Sequence, residues 1–257
     1  MYAHQHHFEL STMGTVVTAD LSLSDRSPTT PERVFSAVTS KFDSTDHDFS
    51  TYRPDSLVSR YRRDSGLESS SSALNILISS LRPIVSLTRG YFDPWAIPGG
   101  FDPSGYVKGA TAESAARSCD LGPSDSIIIN AAGDIYSTSP IRAGVVSPTD
   151  PSRIMFSTVF EGALATSGDY LRPGHLYNPR QRSAQLGALS ATVSGPDAGL
   201  ADALATALCV GGPELLDILE SLPLYSAILV LQTHPRPIIL SSPTANYELF
   251  KSSRNLV

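Results

Sequence analysis

Cysteine is nearly missing from this chain of 257 residues: Cys119 and Cys209 are the only two, both stand in helix-like segments, and no C-x-x-C pattern occurs. Two isolated cysteines supply neither a disulfide framework nor a cysteine zinc site, so both read as reduced or buried thiols. Charge is sparse as well. Asp, Glu, Lys and Arg make up 17% of the residues, and 19 basic against 25 acidic side chains leave a net charge of −6. That balance argues against a general nucleic-acid or anionic-membrane surface, so an anionic ligand needs a dedicated site. No apolar run approaches the length of a membrane span. The first residues also lack a signal-peptide pattern, because His4, His6 and His7 are followed by a strand-like segment carrying Asp20 and Asp25 rather than an apolar core. The expectation for the sequence as it stands is a cytoplasmic protein, with export open if a leader has been removed. The three histidines lack further ligands at metal spacing and read as a frayed end.

What is present is apolar material, 41% of the chain, enough to bury a large core as one domain or as two closely joined lobes. Phe8 to Leu23 alternates as a strand, with Met13-Gly14-Thr15 as an interruption where backbone can approach a ligand. A helix follows: Thr30 caps it, Pro31 suits its first turn, and Val34, Phe35, Val38 and Phe42 form its apolar stripe. The acidic run from Asp43 to Asp48 ends it. Phe49 to Pro54 is a loop, and Ser69 to Ser72 reads as the entry of a helix that Pro83 kinks. Glycine and proline are dense from Gly90 to Gly109, which predicts loops there, with a helix from about Ala110 to Ser118. Short strands are predicted at Ser126–Asn130, Gly144–Ser147, Gly162–Thr166, Leu189–Ser194, Ser226–Leu231 and Pro237–Leu240. Helices Asp197–Cys209 and Pro213–Leu222 lie between the strand ending at Ser194 and the one starting at Ser226. Runs of strands with isolated helices indicate an α+β fold, with mixed or antiparallel sheets flanked by helices. A domain over 8–245 with terminal extensions 1–7 and 246–257 fits this pattern.

The segment L-A-D-A-L-A-T-A-L-C, Leu200 to Cys209, sets Asp202 and Thr206 four residues apart on one face of an otherwise apolar helix. With no solvated charged face, the helix is buried all round. A buried carboxylate costs several kcal/mol unless a cation or a donor network compensates it. No Lys or Arg lies within a turn of Asp202, so compensation must come from another element. Hard oxygen donors such as these suit Mg²⁺ rather than zinc.

Further motifs run through the chain in a definite order. They are M-G-T at Met13–Thr15, F-S-T-Y-x-P-x-S at Phe49–Ser56, G-Y-F-D-P at Gly90–Pro94 and D-P-S-G-Y-V-K-G at Asp102–Gly109. A-G-D-I at Ala132–Ile135, A-T-S-G-D-Y at Ala165–Tyr170, H-x-x-N-P-R at His175–Arg180 and A-D-A-L-A-T-A at Ala201–Ala207 follow. Singly each is weak. Together, and in this order, they resemble the ApbE-type FAD:protein FMN transferases.

The resemblance implies an α+β enzyme that cleaves FAD at its pyrophosphate, joins the FMN half to a Thr or Ser hydroxyl of an acceptor protein and releases AMP with the help of Mg²⁺. It implies Asp202, Thr206 and the backbone carbonyl of Gly105 as metal ligands. Lys108 becomes a phosphate-binding point charge, placed between a glycine-rich loop and a helix start that suits anions. The flavin is met by Tyr52, stacking on the isoalloxazine ring, by Met13 packing against it, and by Tyr91, Phe92 and Asp93. Asp102, Asp134 and the loop of Thr166, Ser167 and Asp169 complete the nucleotide site. His175 is implied as the base for the acceptor hydroxyl, since histidine titrates near neutrality.

Two departures stand out. The family commonly carries H-x-x-D-P-R-T-G, whereas this chain has Asn178 in place of the aspartate and Gln181-Arg182 in place of Thr-Gly. The loss of a charge at Asn178 bears on how His175 is oriented and on the acceptor groove. Two other activities therefore stay open: an FAD pyrophosphatase yielding FMN and AMP, and a non-catalytic FAD-binding protein. The expected partners are FAD and an acceptor protein with a modifiable Thr or Ser; nucleic acid and a membrane span are not expected.

Overall fold

Val17, Ala19, Leu21 and Leu23 alternate with more open residues along the strand Thr15–Ser24, and all four are buried, as a sheet covered on one face requires. The same patterning builds the rest of the sheet in the computed structural model, which describes residues 3–64, 71–170, 174–232 and 238–249. Strands β1 (Ala3–Thr12), β2 (Thr15–Ser24), β3 (Ser126–Ala131), β4 (Asp134–Ser147), β5 (Asp150–Gly168), β6 (Ser190–Gly195), β7 (Ser226–Leu231) and β8 (Ile238–Ser241) lie side by side in chain order. β9 (Tyr247–Leu249) pairs with the first half of β5. Every pairing among the described strands is antiparallel. The fold is α+β, with one antiparallel sheet and a layer of helices.

Among the described residues five helices accompany the sheet: α1 (Pro31–Phe49), α2 (Leu57–Arg63), α3 (Ser72–Leu87), α4 (Ser104–Ser118) and α5 (Ala198–Gly211). Thr30 caps α1 by accepting from the Arg33 N–H, and Asp197 caps α5 by accepting from the Leu200 N–H. The core forms where α1, α4 and α5 meet the sheet: Val38, Phe42, Leu204 and Leu208 are fully buried there against Leu21, Ile127, Ile129 and Val193. Each such side chain contributes about 1.5–3 kcal/mol by leaving water. Small residues bring the layers close. A Cβ at Gly109 of α4 would stand 2.2 Å from the carbonyl oxygen of Ala198 at the start of α5, so only glycine permits that approach. α5 and a 3₁₀ helix over Gly212–Ser221 form one apolar stretch, Ala198–Ser221, long enough by composition to cross a membrane, and it is packed inside the fold. Cys209 and Cys119 are free thiols, which burial pushes up to about 12 and about 11 respectively.

Several elements differ from the sequence expectation. The single strand from Phe8 is a hairpin of β1 and β2, turned by Met13 and Gly14 at φ of 51° and 69°, the two-residue geometry that suits twisted strands. β1 begins at Ala3, so His4, His6 and His7 belong to a paired strand rather than a frayed end; His7 Nδ1 lies 2.7 Å from Asp20 Oδ1. α4 starts at Ser104 instead of near Ala110, with a kink at Gly105, which places both Gly105 and Lys108 within its first turns. α1 continues through the acidic run to Phe49, and α2 is an additional helix. β4 and β5 are far longer than the predicted segments, and Pro140 falls at a register shift between Ser137 and Ile141, where a missing N–H is tolerated. Ser69 and Ser70 of the serine cluster, and Pro237 of the last predicted strand, lie outside the described residues.

Register brings one end of the sheet together. Val17 pairs with Ala131, Ala131 with Asp134, and Ile135 with Leu164. The Met13-Gly14 turn, the Ala132-Gly133 turn, Asp134 and the last residues of β5 therefore share one end of the sheet.

Candidate functional site

Asp202 is 2% exposed, and the compensation its burial requires comes from α4. Lys108 Nζ lies 2.5 Å from Asp134 Oδ2 and 3.5 Å from Asp202 Oδ2. The Gly109 N–H also points at Asp202 Oδ2, at 3.5 Å. Three elements contribute: Lys108 from the first turns of α4, Asp134 from the start of β4 just past its glycine turn, and Asp202 from α5. Burial works to discharge Lys108, yet the charges of Asp134 and Asp202 and its hydrogen bonds to them outweigh it and hold the ammonium above its ordinary pKa. Burial and the neighbouring Asp134 charge push the Asp202 carboxyl up to about 7 against the opposing pull of Lys108.

One turn along α5, the Thr206 hydroxyl meets Ser167 Oγ of β5 at 3.1 Å. A Cβ at Gly105 would lie 3.1 Å from Thr206 Oγ1 and 3.3 Å from Phe92 Cε2. Gly105, Lys108, Asp134, Ser167, Asp202 and Thr206 are thus brought together. With both carboxylates ionised, two against one ammonium leave an excess of one negative charge, beside hydroxyl oxygens and without thiol or imidazole. This donor set fits a hard divalent cation such as Mg²⁺. Among the described residues no group of three or more His, Cys, Asp or Glu is arranged to hold a metal.

Asp169 follows Ser167 by two residues and organises the next loop. Its Oδ2 accepts from the Gly174 N–H at 2.9 Å, while Oδ1 accepts from the His175 N–H at 3.2 Å and lies 3.1 Å from His175 Nδ1. His175 keeps 43% of its side chain exposed. Asn178 does other work. It is buried, its Oδ1 accepts from the Arg180 and Gln181 N–H groups, and its Nδ2 donates to the Gln185 carbonyl. The carboxylate beside the imidazole is Asp169, and Asn178 builds the following turn.

The remaining expected residues surround this centre unevenly. Tyr52 is 92% exposed. Tyr91 is half-buried under the Arg180 guanidinium, 5.1 Å from the ring centroid. Phe92 is buried and belongs to the core beside Gly105. Asp93 and Asp102 each accept from a backbone N–H two residues on, those of Trp95 and Ser104, as turn-forming aspartates do. Met13 sits at the hairpin tip with its side chain against the core. Thr166 is set apart. Successive strand residues face opposite sides, so Thr166 points away from Ser167 and α5, and its hydroxyl pairs with Thr192 at 3.0 Å.

The ApbE family model matches residues 98–229, more than half of the chain and the span that carries Gly105, Lys108, Asp134, Asp169, His175 and Asp202. The chain belongs to the ApbE family. A Rhodobacter capsulatus protein named FAD:protein FMN transferase is 29% identical over 127 residues, a match covering 44% of this chain and 24% of that protein. The chain thus spans about a quarter of that relative's length. The crystal structure of the Pseudomonas stutzeri flavinyl transferase ApbE, apo form, superposes with a TM-score of 0.77 at 20% identity, covering 94% of this chain and 95% of that one. The ApbE protein of Thermotoga maritima gives a TM-score of 0.81 at 21% identity, covering 94% and 98%. At such identities the solved structures establish the shared fold.

Within this ApbE fold, two arrangements carry no local sequence signal. Arg62 of α2 reaches across to the loop before α4, but nothing distinguished it from its arginine neighbours. The Asp169–His175 pair spans six residues of a polar loop, a separation with no helical or strand period to mark it.

Proposed function

We propose that this chain transfers the FMN half of FAD to a threonine or serine hydroxyl of an acceptor protein, with release of AMP, in a Mg²⁺-dependent reaction. The observation that carries this reading is the buried cluster of Lys108, Asp134 and Asp202 beside Thr206 and Gly105. Asp202, Thr206 and the Gly105 carbonyl would hold the cation. When bound, Mg²⁺ supplies positive charge against the pyrophosphate oxygens. Lys108, kept charged by two carboxylates, donates to a phosphate oxygen from the same side. Tyr52 offers its open ring face to the isoalloxazine, and Met13 and Tyr91 serve as further flavin contacts. Ser167 and Asp169 contribute polar groups along the nucleotide. His175, set by Asp169, takes the proton of the acceptor hydroxyl as its oxygen forms a bond to the FMN phosphorus. The bond from that phosphorus to the bridging oxygen breaks, and AMP departs with the electron pair.

Product analysis tests this. The protein is incubated with FAD, Mg²⁺ and a small acceptor domain bearing an exposed threonine, then run on a denaturing gel. Flavin fluorescence on the acceptor, with AMP released in equal amount, supports transfer. Free FMN and AMP with unlabelled acceptor would instead indicate a pyrophosphatase, and intact FAD a binding protein.

A further inference from the structure

One arginine touches both halves of the proposed site. Arg62 Nε donates to the Phe101 carbonyl at 2.7 Å, its Nη1 donates to the Thr51 carbonyl at 3.2 Å, and its Nη2 faces Asp102 Oδ2 at 3.8 Å. The Thr51 carbonyl belongs to the residue just before Tyr52. On that side the loop is further held by Ser50, whose Oγ accepts from the Tyr52 and Arg53 N–H groups and whose carbonyl accepts from Ser56 Oγ. The exposed Tyr52 ring is therefore presented by a backbone with little freedom. On the other side, Asp102 uses its second oxygen to accept from the Ser104 N–H at the start of α4, the helix that carries Gly105 and Lys108. Gly100, at φ of 95°, lies against the Arg62 stem; a Cβ there would stand 3.4 Å from its Cγ.

We infer that Arg62 is a positioning residue that fixes the distance and angle between the flavin platform at Tyr52 and the phosphate site at Gly105 and Lys108. A planar guanidinium with its donors in a fixed fork can hold three acceptors in one relative geometry, which a flexible ammonium cannot. With 23% of its side chain exposed, it is shielded enough for its bonds to persist. The inference rests on the FAD-dependent reading above. FAD spans both halves of the site, while riboflavin and AMP each occupy one. Loosening the clamp therefore weakens whatever must satisfy both halves at once, and spares the separate parts.

The test uses wild type, Arg62→Gln and Arg62→Lys, with Trp95 fluorescence to follow binding of FAD, riboflavin and AMP, and the transfer assay to give kcat and KM. Trp95 is the only tryptophan and lies in the same loop region, its indole 5.1 Å from the Phe101 ring. The expected result for Arg62→Gln is a fall in kcat of roughly tenfold to a hundredfold, as small misplacements of reacting groups produce. FAD binding weakens, riboflavin and AMP binding stay within about threefold of wild type, and Arg62→Lys falls between. Asp102→Asn, which keeps an acceptor for Ser104 but loses the charge facing Arg62, should shift kcat the same way by less. Unchanged kcat in Arg62→Gln, or parallel loss of FAD, riboflavin and AMP binding, overturns the positioning role while wild-type transfer stands. Failure of wild type to bind FAD overturns the functional reading and this inference with it.

Discussion

Asp169 Oδ1 lies 3.1 Å from His175 Nδ1 and also accepts the His175 backbone N–H, so one carboxylate sets both the ring and the loop that bears it. If His175 takes the acceptor proton, His175→Ala slows FMN transfer by roughly 10²–10⁴-fold with FAD affinity little changed. Asp169→Asn should lower transfer by less, since the ring loses its oriented partner but remains present. Asn178→Asp, by contrast, loses the donor to Gln185, and should lower stability by about 1 kcal/mol without improving transfer. Single-turnover kinetics and urea unfolding of the three variants separate these effects. Wild-type transfer in His175→Ala removes the histidine from the mechanism.

The lysine and the two aspartates are not equivalent partners. Lys108→Met removes the cation that both carboxylates share and should cost about 3 kcal/mol of stability, because a buried ion pair stripped of one partner leaves charge that is costly to keep or to neutralise. Added Mg²⁺ should restore part of that loss. Asp202→Ala still leaves Lys108 paired with Asp134, so it should unfold at nearly the wild-type urea concentration. Urea titrations with and without Mg²⁺ check the pair; equal destabilisation by both substitutions would refute the charge argument.

Much of this fold could be read locally. The Thr30 cap and the stripe of Val34, Val38 and Phe42 located α1, and apolar patterning located β3, β6 and β7, because each signal lies within one element. The i, i+4 placement of Asp202 and Thr206 was legible for the same reason. Lys108 as the partner of Asp202 was not: they are 94 positions apart and meet only because Gly109 lets α4 lie against α5. The β1–β2 hairpin is not legible in the sequence because its turn begins with Met13 at positive φ, a conformation usually given to glycine or asparagine. The start of α4 was hidden by glycines and prolines that suggest a loop. The opposite facings of Thr166 and Ser167 follow from strand period alone, but only once β5 is known to continue through Gly168.

A pH-dependent prediction concerns Asp125, away from the site. Burial tends to raise its pKa, but hydrogen bonds, from the Ser24 and Gly122 N–H groups among others, outweigh this and hold it below the ordinary value of 3.8. A depressed carboxyl stabilises the fold above its unfolded pKa, and that contribution disappears as pH falls through the folded value. Asp125→Ala should therefore cost about 0.5 kcal/mol at neutral pH, because solvent screens so open a carboxylate, and the gap to wild type should close below the ordinary aspartate range. Urea unfolding at a series of pH values measures it; a gap that persists at low pH contradicts the assignment.

The most direct measurement is the rate of AMP release from FAD as a function of Mg²⁺ concentration, in wild type and Asp202→Asn, after both have been stripped with a chelator. The account predicts negligible release from stripped wild type, saturable recovery with Mg²⁺, and no recovery in Asp202→Asn at any concentration although the variant remains folded. The same Mg²⁺ dependence in both proteins, or full activity of the stripped wild type, would contradict it.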